Sequence, residues 1–482
     1  MLHLKNYSNG KLVAPASNTY LDNINPATGK VFAQIPCSDA SDVDAAVEAA
    51  EAAFYLWSTI GVEQRARFLN AMADYIEAHL EDFAKAESLD NGKPISLARV
   101  MDIPRGISNL RFFASAIQHT STDAHHTEQP NALNYTLRRP IGVVGCISPW
   151  NLPLYLFTWK IAPALAAGNC VIAKPSEVTP YTAYLLSEAA IAVGLPAGVL
   201  NILHGNGPAV GQAIVEHPKI KAISFTGGTK TGEHLARTAA PMFKKLSLEL
   251  GGKNPSIIFA DCDYNNALAT TVRSAFANQG QICLCGSRIF VERSIYEQFK
   301  TDFLHKVSLL QCGNPLDDAT NFGALVSEAH LQKVLSYIAL AKEEGGTILC
   351  GGERVYLDDD ELKGGFFLAP TVIEGLSPYC RTNQEEIFGP VVTIMPFDYE
   401  AEVIEYANGT PYGLAANMWT QNLSRATRVA EQLHFGIVWI NCWLLRDLRT
   451  PFGGVKNSGV GREGGWEALR FFTEAKNVCI RY

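Results

Sequence analysis

The chain has 482 residues, of which 47% are apolar and 18% charged, with a formal net charge of −8. That length requires two or three domains rather than one, and this balance of apolar and charged residues excludes a disordered chain. The negative charge and the scattered lysines and arginines give no ground for a nucleic-acid partner.

Eleven cysteines, an odd number without C-x-x-C pairs, read as the reduced thiols of a cytoplasmic protein. Eleven histidines without an H-E-x-x-H pattern give no metal site. Residues 1–7 lack the apolar core of a signal peptide. The most apolar region, 155–173, is interrupted by Lys160, Pro163, Gly168 and Asn169, so no membrane span is expected.

In chain order, residues 1–37 alternate apolar positions with turns (Asn9-Gly10, Asn25-Pro26) and predict short strands. Residues 41–57 predict a helix with a mild cap signal at Ser41. Apolar residues at helical spacing (Phe68, Met72, Ile76, Leu80, Phe83) predict one amphipathic helix over 63–87, and 102–118 a third helix. Residues 119–139 are polar and interrupt the pattern. From Gly142 the texture changes to short β-branched runs at 142–148, 170–174, 199–203 and 222–225. A helix over 180–193, opened by Pro180 and stopped by Gly194, lies among them. A second alternation runs from Ile257 to Ile440. Strands alternating with helices imply parallel α/β sheets whose ligands sit at the strand C-terminal ends. The tail from Phe471 reads as a strand.

Several short segments carry chemistry. Cys283 ends the polar turn Asn278-Gln279-Gly280-Gln281-Ile282-Cys283, where a thiol can meet a substrate; a buried structural cysteine is the alternative. Cys285 has no motif behind it and reads as structural. Glu249, inside Leu248-Glu249-Leu250-Gly251-Gly252, is either a general base of raised pKa or the partner of Lys244 or Lys245. Asn151, between Trp150 and Leu152, offers an amide to an oxyanion or caps a turn. Residues 225–232 join a strand to a helix and suit a pyrophosphate. Gly205 to Gly211 misses the G-x-G-x-x-G spacing and reads as a turn. Glu177, after Lys174-Pro175-Ser176, can hold ribose hydroxyls.

Seven segments then occur in order: 149–153, 174–177, 225–232, 248–253, 278–283, 385–390 and 451–454. Their order and spacing resemble the aldehyde dehydrogenase family over essentially the whole chain. The resemblance implies an α/β fold with a Rossmann-type NAD domain (1–118 and 141–251), an α/β catalytic domain (252–457) and a small bridging β element for oligomerisation (119–140 and 458–482). It implies Cys283 as nucleophile, Glu249 as base, and Asn151 with the Cys283 amide as oxyanion hole. NAD contacts carried over are Trp150, Lys174, Ser176, Glu177, Phe225, Thr226, Gly227, Gly228, Leu250, Glu386 and Phe388. Glu463 matches a position assigned to proton relay. A homodimer or homotetramer is implied.

Within the family, residues 101–114, 281–285 and 441–464 look most like the 2-aminomuconic and 2-hydroxymuconic semialdehyde dehydrogenases, and the reading leans to the amino compound. Arg105 and Arg446 align with tunnel positions that are apolar in enzymes for apolar aldehydes. They suit a substrate carboxylate, or else they are paired with Asp102 and Asp447. Ala277 leaves room in the tunnel, Tyr155 and Trp159 form a wall, and Phe452 joins them. A retinal-type aldehyde, a CoA-acylating relative and a non-catalytic structural or binding relative are the other readings.

Overall fold

The computed structural model describes residues 1–482. Five parallel strands form the centre of an eight-stranded sheet: Lys245–Glu249, Ile220–Thr226, Val143–Ile147, Cys170–Lys174 and Leu200–Ile202, in spatial order. Every residue of Val143–Ile147 and Cys170–Lys174 is buried, as strands covered on both faces require. The helices Ala40–Thr59, Val62–Ala78, Ile103–Ala116 and Pro153–Ala166 bury their apolar faces in the same core. Strand order reverses at Val143–Ile147: the chain builds outward on one side, then returns to add Ile220–Thr226 on the other. The crevice beyond the C-terminal ends of those two neighbours is the natural ligand site of such a sheet. Residues 148–151 leave from one strand and Gly227 from the other.

A second, seven-stranded sheet has six parallel strands: Thr371–Glu374, Val391–Phe397, Gly286–Glu292, Asn254–Ile258, Ala415–Trp419 and Ile437–Ile440. Thr347–Cys350 runs antiparallel at one edge. A third, antiparallel sheet joins Thr473–Arg481, Ala132–Pro140 and Ala124–Thr127. Within 458–482 only Thr473–Arg481 enters that sheet, because Gly459–Val460 pairs with Lys245–Glu249 and the helix Gly465–Phe471 packs on Pro153–Ala166. No helix is long and apolar enough to cross a membrane.

Two helical expectations change. The first helix is capped by Asp39, not Ser41: Asp39 Oδ1 accepts from Ser41 N at 2.8 Å and Asp42 Oδ2 accepts from Asp39 N at 3.0 Å. This reciprocal pair satisfies two orphan donors, which Ser41 alone does not. The single helix over 63–87 is two, Val62–Ala78 and Leu80–Asn91, broken at His79. Periodicity concealed the break because both halves face one core, with Leu69, Met72, Ile76 and Phe83 all in it.

Gly280 has φ +69°, and a Cβ there would lie 2.2 Å from the Gly389 carbonyl oxygen. Gly280→Ala combines left-handed strain with a backbone clash. A stability loss of about 2–4 kcal/mol is expected, read as a lower thermal unfolding midpoint. An unchanged midpoint would mean the turn relaxes freely.

Candidate active site

The turn that carries Cys283 is unusual in its backbone. The helix Tyr264–Phe276 ends, and Asn278, Gln279 and Gly280 follow with φ of +50°, +55° and +69°. Left-handed non-glycine residues cost energy and persist where surroundings hold them. Here Asn254 Nδ2 donates to the Cys283 carbonyl at 2.7 Å and to the Cys285 carbonyl at 3.0 Å. The Cys283 N–H donates to no protein group and is open to an incoming oxygen. Burial pushes the Cys283 thiol well up, and the Glu386 and Glu249 carboxylates add to this, while the Arg446 charge opposes it. Cys285 is buried, with its thiol pushed up to about 12 by desolvation.

Asn151 meets this turn from the other sheet. Its Nδ2 donates to the Gln281 carbonyl at 2.9 Å, which leaves its second amide proton unused. In return Asn278 Nδ2 donates to the Asn151 carbonyl at 2.9 Å. The bonds cross from the loop after Val143–Ile147 to the loop before Gly286–Glu292, so they fix one parallel sheet against the other at the thiol.

Glu249 is the last residue of Lys245–Glu249 and is 3% exposed, with neither carboxylate oxygen bonded to protein. The pairing with Lys244 or Lys245 is overturned. Lys244 donates to the Val215 and His217 carbonyls, and Lys245 to the Thr473 carbonyl and Glu474. Desolvation holds the Glu249 carboxyl well above the usual range, and the Glu463 charge raises it further against Lys160, Arg462 and Arg446. Glu463 in turn bonds Lys160 Nζ at 2.8 Å and Ser224 Oγ at 3.2 Å. Room for Glu249 exists because position 453 is glycine: a Cβ there would lie 2.7 Å from Glu249 Oε1.

At the strand reversal lies a cavity of about 750 Å³, walled by Lys174, Ser176, Glu177, Phe225, Thr226 and the glycines 227 and 228. It shares Trp150 and these glycines with an adjoining space of about 200 Å³ that reaches Leu250, Glu386, Phe388, Asn151 and Cys283. All eleven expected dinucleotide residues therefore line one continuous space. Its chemistry suits a dinucleotide diphosphate. The Thr226 and Thr229 hydroxyls are buried without partners, and the helix Thr229–Ala239 starts at Gly228 with no side-chain cap, so its first N–H groups are open. Lys174 Nζ reaches Glu177 Oε2 at 3.0 Å at the far end. Glu386 Oε1 accepts from Gly252 N at 2.9 Å and lies so close to Gly251 that a Cβ there would be 2.2 Å from its Oε2. Gly207, Pro208 and Gly211 also wall the larger cavity, so the segment read as a plain turn faces the ligand space. The loop is held by Asn206, whose side chain accepts from Ala209 N, and not by G-x-G-x-x-G geometry. His330 and Lys333 were missed. They sit on a helix face of ordinary amphipathic pattern, and only folding places the His330 ring against Trp150 and Phe388.

On the other side of Cys283, Tyr155 and Phe452 pack in one apolar cluster with Ala277 and the thiol. Tyr155 lies between the two arginines. Arg446 Nη1 donates to its hydroxyl at 2.7 Å, and the Arg105 guanidinium lies 5.6 Å from its ring centre. The Arg446 guanidinium also stacks 3.9 Å from Phe452 and 4.9 Å from Trp159. Neither arginine is ion-paired: Asp102 binds Lys93 at 3.0 Å and Asp447 binds Arg449 at 2.6 Å. The pairing alternative for both is overturned.

Comparison with known proteins agrees with this geometry. A model described as the aldehyde dehydrogenase family matches residues 12–478. The chain is 51% identical to the 2-aminomuconic semialdehyde dehydrogenase of Danio rerio, over 100% of this chain and 99% of that one. It is 49% identical to the 2-hydroxymuconic semialdehyde dehydrogenase of Pseudomonas sp. (strain CF600), covering 100% of both. Among solved structures, the indole-3-acetaldehyde dehydrogenase of P. syringae in complex with NAD+ superposes with a TM-score of 0.97 at 39% identity, over 100% of this chain and 97% of that one.

Because burial and two carboxylates suppress the Cys283 thiolate, its alkylation by iodoacetamide in the free protein is expected to rise about tenfold per pH unit from roughly pH 7 to roughly pH 9, without a plateau. A plateau within or below that range, read by peptide mass spectrometry, would contradict the raised pKa.

Proposed function

The chain belongs to the aldehyde dehydrogenase family, and from that premise we propose that it oxidises, with NAD, a semialdehyde that carries a carboxylate at its far end. The compound proposed is 2-aminomuconate 6-semialdehyde, a ring-cleavage product of tryptophan and kynurenine catabolism. The observation that carries this reading is the pair of guanidinium groups, Arg105 and Arg446, on either side of Tyr155 with no carboxylate of their own. A guanidinium left without a counter-ion in a half-buried wall suits a planar carboxylate ligand. The same feature disfavours an apolar chain such as retinal. The 2-hydroxymuconic compound is the second reading, since relatives of both names lie at similar identity.

The reaction follows from the placement of this chain's groups. The Cys283 sulfur adds to the aldehyde carbon, once its proton has gone to a base. The oxygen that becomes negative takes hydrogen bonds from the free proton of Asn151 Nδ2 and the Cys283 N–H, both open for it. NAD, when bound, supplies the acceptor for the hydride that leaves this carbon, so that a thioester remains on Cys283. Lys174, Ser176 and Glu177 would hold the adenosine ribose, the glycines 227 and 228 the diphosphate, and Glu386 the nicotinamide ribose. Glu249, a carboxylate without partners and with raised basicity, takes the proton from the water that cleaves the thioester. Glu463 and Lys160, bonded at 2.8 Å, offer that proton a route away.

The division into a dinucleotide unit, a thiol-bearing unit and a bridging sheet is part of this proposal. The bridging sheet supports a homo-oligomer: its outer strand Ala124–Thr127 is wholly exposed, and Thr473–Arg481 presents the other open edge. All eleven cysteines are free, which supports a reducing, cytoplasmic location.

Cys283→Ala is expected to abolish turnover while NAD still binds, and turnover retained would remove the nucleophile assignment. Glu249→Ala is expected to leave a thioester on the protein, visible as added mass in the intact chain; normal turnover without an adduct would refute its role. The substrate is tested by NADH formation from 2-hydroxymuconic semialdehyde, a more stable stand-in for the amino compound, beside hexanal and retinal. Arg446→Ala should lower kcat/KM for the carboxylated aldehyde by roughly 30-fold or more, which corresponds to about 2 kcal/mol, with little change for hexanal. Equal losses on both would make the arginine structural.

A further inference from the structure

Beneath the loop that carries Asn151 lies a buried ionic group that the reaction above does not use. Lys93 is fully buried, and so are Glu87 and Asp102. The Lys93 ammonium donates to the Asn151 carbonyl at 3.2 Å and to Glu87 Oε1 at 3.5 Å, and it forms an ion pair with Asp102 Oδ1 at 3.0 Å that lies outside hydrogen-bond geometry. Glu87 Oε2 accepts from Leu154 N at 3.3 Å, in the first turn of the helix Pro153–Ala166. Asn91 Nδ2 donates to the Trp150 carbonyl at 3.0 Å and the Asn151 carbonyl at 3.4 Å. The segment from Glu87 to Lys93 thus grips residues 150, 151 and 154 with four bonds, and Asn278 adds a fifth from the cysteine turn.

Burying one cation and two carboxylates is a poor way to gain stability, since apolar residues of the same volume often do as well or better. The benefit of such a group lies in geometry. The Asn151 carbonyl takes three side-chain donors, which fixes its peptide plane and with it the direction of its side-chain amide. An amide that must meet a developing oxyanion loses most of its effect when displaced by about 1 Å.

We propose that Lys93, held by Glu87 and Asp102, is a positioning residue that aims the Asn151 amide at the oxyanion of the substrate. This rests on Asn151 being the oxyanion donor. A residue that acts through Asn151 has nothing left to do once that amide is gone, whereas a residue that only stabilises the fold matters equally with or without it.

The test is a double-mutant cycle on the full-length enzyme with NAD and 2-hydroxymuconic semialdehyde, with the rate of the first NADH turnover as readout. Asn151→Ala is expected to slow that turnover by roughly 100-fold or more. Lys93→Met should slow it by roughly tenfold or more in the native background and by less than about twofold in the Asn151→Ala background, with NAD affinity unchanged by fluorescence titration. The same factor in both backgrounds would overturn the positioning role and leave the oxyanion assignment standing. An undiminished rate in Asn151→Ala alone would remove the oxyanion assignment and this inference with it. Should Lys93→Met fail to fold, Lys93→Gln/Asp102→Asn, which removes opposite charges together, goes through the same cycle under the same criteria.

Discussion

Two reciprocal hydrogen bonds hold the site together: Asn151 Nδ2 to the Gln281 carbonyl and Asn278 Nδ2 to the Asn151 carbonyl, each 2.9 Å long. They join loops that belong to different parallel sheets. One loop ends the strand at which the eight-stranded sheet reverses, and the other precedes a central strand of the seven-stranded sheet. A shift of either sheet would separate the thiol from the amide, and both from the cavity at the reversal. The strained backbone at 278–280 is tolerable because these bonds, with those of Asn254 behind Cys283, over-determine the turn.

Around that junction the protein keeps carboxylates where water is scarce. Glu249 and Glu386 are both pushed upward by burial, and each raises the Cys283 thiol in turn. Each occupies space that a neighbouring side chain would fill, which explains the glycines at 251 and 453. Arg446 is placed to act on both sides of the chemistry. Its charge opposes the rise of Cys283 and of Glu249, while its guanidinium bonds Tyr155 in the wall where the carboxylated end of the proposed substrate would lie. In the proposed function, one side chain would therefore link substrate recognition to the ionisation of Cys283 and Glu249.

The expectations that failed did so for local physical reasons. The run over 63–87 kept its apolar period through His79 because both helices face one core, and a period cannot register a break that preserves the face. Gly205 to Gly211 misses the dinucleotide glycine spacing, yet Gly207 and Gly211 reach the cavity because Asn206 and the neighbouring strand end shape the loop. In the sequence Glu249 reads equally as a base and as an ion-pair partner, because Lys244 and Lys245 are its neighbours in the chain. In the fold Lys244 donates to the Val215 and His217 carbonyls and Lys245 to the Thr473 carbonyl beside Glu474, and the Glu249 carboxylate ends alone.

The sequence by itself determined the alternation of strands and helices, the family, and the residue types at the thiol, the carboxylate, the amide and the glycine-containing loop 225–232. These are local features: buried parallel strands must be apolar runs, and a cysteine in a polar turn, a carboxylate in an apolar strand and a glycine-rich turn each leave their mark within a few residues. Only the tertiary structure decided which charges are left unpaired. Asp102 and Asp447 stand within a few residues of Arg105 and Arg446, but folding gives them to Lys93 and Arg449. Several charged neighbours lie within reach along the chain on either side of each carboxylate, and only the direction each side chain takes in the fold selects one of them. The same holds for Lys93 beneath Asn151, which meet across 58 residues of sequence.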